Sequence, residues 1–136
     1  MMRIDRAMLA RAEDVRFAAA RDRLKARLLA EPQAAQISDR QRRVFVDWID
    51  GVWAQLRAAP GAAEHPVTLQ RAVLIEMTRP RWSADPLLAA YVDRMVATPG
   101  RAWPFEAGVT AVWRNVLAAR LMRPEIVAFI AQEEKL

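Results

Sequence analysis

The chain has 136 residues, with no cysteine, one histidine and four glycines. Its only serines are Ser38 and Ser83. Each shortage closes off a class of chemistry. Without cysteine there is no disulfide and no thiolate metal site, which fits a reducing compartment. His65 alone cannot supply a zinc site of the usual kind from one chain. The Glu-x-x-His pairs that hold carboxylate-bridged metals in helical bundles do not occur. Gly51, Gly61, Gly100 and Gly108 stand apart, so no phosphate-cradling loop or dinucleotide fingerprint can be assembled. Neither serine has a histidine nearby in sequence, which leaves nucleophilic catalysis unsupported. Glu64 beside His65 is the one acid–base or metal pair to weigh. Because Pro66 follows, His65 is read instead as the cap of the next helix. The expectation is a non-enzyme with no cofactor and no metal.

Long apolar runs are missing too. No window approaches the ~18 consecutive apolar residues of a membrane-spanning helix, so no membrane insertion is expected. The opening Met1-Met2-Arg3-Ile4-Asp5-Arg6 has no secretory apolar core, and the expected location is the cytoplasm. What is present is an apolar composition, 54% hydrophobic with 27% charged residues. That is too apolar for a disordered chain and too charged for a membrane bundle. A chain of this length buries roughly two-thirds of its unfolded surface in one core.

Net charge is +5, and it is unevenly placed. Residues 1–43 hold 11 Lys/Arg against 6 Asp/Glu, whereas residues 44–136 hold 10 against 10. The whole excess therefore sits in the first third. It reads either as a solvated helix or as a basic arm for an acidic partner, RNA or DNA.

Six helical segments and no convincing strand emerge from the apolar spacing and from the eight prolines. The first runs from about Ile4 to Ala30. At about 100° per residue, Ile4, Met8 and Val15 share one of its faces. Phe17, Leu24 and Leu28 share another, rotated by roughly half a turn. Either the helix bends near Val15 to Ala18, or its halves pack on different neighbours and the first face reaches another chain. The second segment opens on Ser38-Asp39-Arg40-Gln41, which fits a capping box. Phe45, Trp48, Ile49, Val52 and Leu56 then form a core stripe widened by Trp53. The third segment, Val67 to Thr78, offers Leu69, Val73, Leu74 and Met77. The fourth starts at Asp85-Pro86 and ends before Pro99. The fifth begins at Pro104 and carries Val109, Val112, Trp113 and Val116, then Leu117 and Leu121. The sixth begins at Pro124, buries Ile126, Val127 and Ile130, and frays into a charged tail. The expected fold is all-α: a compact single-domain bundle of five or six helices spanning 1–136. The second and fifth segments are expected at its centre.

Three constellations carry candidate function. Arg40, Arg42 and Arg43 crowd the first turn of the second segment, where cations oppose the helix dipole unless an anion is near. Asp39, Asp47 or an external anion is the expected counter-charge. Trp82 and Trp103 each lie beside arginine in an interhelix loop, a setting for cation–π stacking, RNA bases or a protein hot spot. The third is the apolar excess itself, centred on the spare face of the first helix. A helix-turn-helix reading fails because the Thr78–Asp85 joint is too long and contains proline.

The leading expectation is a protein–protein interaction, adaptor or accessory-subunit module. It would bind another protein, or itself, through Ile4, Met8, Val15, Trp82 and Trp103. The alternative is nucleic-acid binding through Arg21, Arg23, Lys25, Arg27, Arg40, Arg42 and Arg43. A third is a pocket for a small apolar ligand lined by Trp48, Trp53 and Trp113.

Overall fold

The computed structural model describes residues 6–58, 65–78 and 105–136. Among them are five α-helices, one 3₁₀ turn and no strand. The expected fourth segment, together with Ile4, Trp82 and Trp103, lies outside the described residues.

Helix α1 (Arg6–Leu29) is one unbroken element of 24 residues. Its alanines, leucines and arginines favour helix, and no glycine or proline interrupts it. Pro32 then opens the 3₁₀ turn Pro32–Gln36. Helix α2 (Asp39–Ala58) begins with the expected capping box. The Gln41 N–H donates to Ser38 Oγ at 3.1 Å, and the Ser38 N–H donates back to Gln41 Oε1 at 2.9 Å. Helices α3 (Pro66–Thr78) and α5 (Pro124–Glu133) each carry proline at the first position, where its missing N–H has no intrahelical role. Helix α4 spans Phe105–Ala118.

The centre of the bundle is α3, not α2 and α4 as the tryptophan-rich stripes suggest. It packs against α1, α2, α4 and α5. Leu69, Val73 and Ile75 have no exposed surface, and Thr68, Gln70, Ala72 and Leu74 are buried with them. A helix apolar on most sides is suited to a central place. Around it lie Phe17, Leu24 and Leu28 of α1, Ile49 and Trp53 of α2, Val109, Val112, Trp113 and Val116 of α4, and Ile126 and Ile130 of α5. Each large apolar side chain so enclosed contributes about 2 kcal/mol.

Several expected core positions fall outside it. Met77 and Leu117 are exposed at the last turns of α3 and α4, and Leu121 is exposed because α4 ends three residues before it, at Ala118. Phe45, Val52 and Leu56 are half-buried against the core, and Trp48 is at the surface. The apolar-ligand reading loses its lining on this point, since Trp53 and Trp113 are enclosed in the core and Trp48 is not among them.

The C-terminal segment does not fray as expected. Glu133 is buried, and it accepts two hydrogen bonds from Arg23 Nε, at 2.8 and 3.1 Å. Gln70, wholly enclosed, donates from Nε2 to the same carboxylate at 2.6 Å and to the Ala20 carbonyl at 2.9 Å. Glu134 pairs with Arg71. One polar knot thus ties α1, α3 and α5 together.

Candidate interaction site

The candidate site begins with an unequal division of α1. Every residue from Arg6 to Arg16 is exposed, and burial starts abruptly at Phe17. Leu24 and Leu28 continue the buried stripe towards the C-terminus. Met8 and Val15 lie roughly opposite that stripe on the helix circumference. They are 62% and 69% exposed, and Leu9 is 55% exposed. The expected two-faced helix is therefore one continuous run whose second half is built into the bundle. Its first half presents apolar side chains outward.

Two contacts hold the base of that first half. Arg57 of α2 pairs with Asp14, and its guanidinium lies over the Phe17 ring at 4.4 Å from the centroid. A cation over an aromatic face adds electrostatic attraction to packing. Asp14 thus finds its partner on α2 and not in Arg11 of its own helix. Beyond this anchor, Met8 and Leu9 stand out from the body.

The basic residues of α1 occupy different surroundings. Arg21 meets Asp22 at 3.2 Å and Asp50 at 3.5 Å. Lys25 meets Asp50 at 2.9 Å and Asp22 at 3.4 Å. Partial desolvation raises the Asp22 carboxyl, but the hydrogen bond and charge of Arg21, with Lys25 beside it, outweigh this and lower its pKa. Arg23 holds Glu133, and Arg27 holds the buried Glu31 at 2.9 Å. Arg123 reaches Glu31 from the other side at 3.2 Å. All four basic positions assigned to nucleic acid in α1 thus face internal carboxylates. On α2, Arg42 donates to the Ala34 carbonyl at 3.0 Å, so its counter-charge is a backbone dipole. Arg40 and Arg43 are exposed, with no ion pair among the described residues.

A polar cleft of about 610 Å³ opens where α1, α3 and α5 meet. Arg16, Arg23, His65 and Arg71 line it together with Glu133 and Glu134. Its cations and carboxylates largely neutralise one another, as the Arg23–Glu133 and Arg71–Glu134 pairs show. The His65 backbone N–H donates to Glu106 Oε1 at 3.0 Å, and its carbonyl accepts from Thr68 N–H at 3.1 Å. His65 therefore caps α3 through its backbone. Glu106, in the first turn of α4, supplies an acceptor that no sequence motif signalled. No group of His, Asp and Glu among the described residues is arranged to hold a metal ion. No helix among them is long and apolar enough to cross a membrane.

Compared with protein-family models, with curated proteins and with solved structures, the chain matches none.

Proposed function

We propose that this protein is a non-catalytic interaction module that docks another protein on the outward face of the first half of α1. The observation that carries the reading is the exposure of Met8 and Val15 on a helical stretch with no buried residue before Phe17. A helix of about ten residues is marginal in water unless tertiary packing supports it. Two large apolar side chains at a spacing of seven residues also offer a ready seam for a partner helix. Arg11, beside that seam, supplies a polar rim contact that sets register.

The nucleic-acid reading draws its support from Arg40 and Arg43, which remain exposed. Arg21, Arg23, Lys25 and Arg27 add little to it, because each already meets a carboxylate. Phosphate contacts must also weaken steeply with salt.

A paired capture experiment tests the proposal. Tagged wild-type protein and a Met8→Asp, Val15→Asp variant are incubated with nuclease-treated native lysate, and retained proteins are identified by mass spectrometry. The expected result is a defined set held by the wild type and lost from the variant, with helix content unchanged by circular dichroism. Equal retention by both, or retention that vanishes with nuclease, overturns the reading.

A further inference from the structure

We infer that the cleft where α1, α3 and α5 meet binds a small α-hydroxy carboxylic acid. Its volume of about 610 Å³ lies within the range of small-molecule sites, about 300–1,000 Å³. Two neighbouring side chains that line it, Gln70 and Arg71, hold buried polar atoms with no hydrogen-bond partner. Gln70 Oε1 is an acceptor and Arg71 Nε is a donor. Buried polar groups are as a rule hydrogen-bonded, and leaving one unmade is costly. The cleft therefore calls for an occupant that donates at one point and accepts at the next.

Gln70 sets the donor. Its side chain is wholly enclosed, and Nε2 donates to the Ala20 carbonyl at 2.9 Å and to Glu133 Oε1 at 2.6 Å. Two acceptors on that side fix the orientation of the amide, so Oε1 cannot trade places with Nε2 to find a partner. A neutral hydroxyl suits it better than an ammonium. The Glu133 carboxylate already accepts from Arg23 and Gln70, and the guanidinium groups of Arg16 and Arg23 also line the cleft.

Arg71 sets the acid. Its side chain is 16% exposed and gives Nη2 to Glu134, while Nε has no acceptor. A carboxylate set side-on to a guanidinium takes Nε and a terminal nitrogen together, the stronger two-toothed arrangement. Glu134 makes only half of it. That residue is 45% exposed and lies just past the end of α5, so returning its carboxylate to water costs little. A ligand carboxylate can therefore displace Glu134 and engage both nitrogens. Because Gln70 and Arg71 are adjacent, hydroxyl and carboxylate belong on adjacent carbons. Ala20, Pro66 and Val67 supply an apolar wall for the rest of the molecule.

Titration calorimetry on the purified chain with matched acids tests the inference. The pairs are glycolate with acetate, lactate with propionate, and mandelate with phenylacetate, each differing by one hydroxyl. The expected result is saturable binding of a hydroxy acid, with its partner weaker by about tenfold for the missing bond to Gln70. Arg71→Lys keeps the charge but loses the fork, and should weaken binding by about tenfold. Glu134→Gln removes the internal competitor from a half-exposed position, so it should keep its helix content and tighten binding by about fivefold. No saturable binding of any hydroxy acid, to the wild type or to Glu134→Gln, overturns the inference and leaves the two atoms to water. Equal affinity within every pair, or affinity unchanged by Arg71→Lys, also overturns it. So does alanine binding more tightly than lactate, which would make the donor an ammonium.

Discussion

Glu133 shows how much one side chain near the C-terminal end contributes. Its carboxylate receives Arg23 from α1 and Gln70 from α3, and with Glu31 it is one of two buried carboxylates among the described residues. Arg23 keeps 44% of its side chain exposed, so the pair is only half withdrawn from water. Removing one partner of such a bond leaves the other polar groups unsatisfied at a cost of 1–3 kcal/mol. Glu133→Ala should therefore lower unfolding free energy by about 2 kcal/mol in urea titration. A loss within experimental error would show that the knot holds nothing. None of this was visible in the sequence, because Arg23 and Glu133 are 110 residues apart. The same distance problem hid Glu106, whose carboxylate caps α3 from another helix. By contrast Ser38 and Gln41 were legible, since a capping box needs only residues three apart.

Helix boundaries followed the same rule of locality. Proline marked the start of α5 at Pro124, which is borne out, whereas α3 opens one residue before the expected Val67, on Pro66 itself. The end of α4 carried no such mark. Its last turn closes with the Leu121 N–H donating to the Val116 carbonyl and the Arg120 N–H donating to the Leu117 carbonyl, both at 3.1 Å. That is the pattern of a Schellman cap, which places its key residue in the left-handed region and favours glycine there. The residue is Arg120, with φ at 54°. With no glycine there nothing marks the stop, and the apolar spacing carries on through Leu117 to Leu121. The strain of an L side chain at this position is about 1 kcal/mol. Arg120→Gly should relieve it and raise the thermal midpoint, less the greater chain entropy of glycine when unfolded. A lowered midpoint would mean that the arginine side chain makes a contact worth more than the strain.

For the whole molecule, the fold class was readable while the arrangement was not. Apolar residues recurring with helical period established an all-α chain. Which helix stands at the centre depends on Gln70 and Thr68 being enclosed, and polar residues give no such signal in a pattern of hydrophobicity. The division of α1 was partly legible, because Met8 and Val15 fall on the side opposite Phe17 and Leu24. Only the packing of α1 against α2 and α3 decided that the second face belongs to the core and the first does not.

Hydrogen exchange along α1 tests the docking claim most directly. In the isolated chain, amides of residues 6–16 should exchange close to the rate of an open chain, while those from Phe17 to Leu28 are protected by the core. In the captured complex, protection should extend back to the first turn. Strong protection of residues 6–16 in the isolated chain would show that the protein itself already covers Met8 and Val15. No added protection in the complex would place the partner elsewhere. Either result contradicts the account.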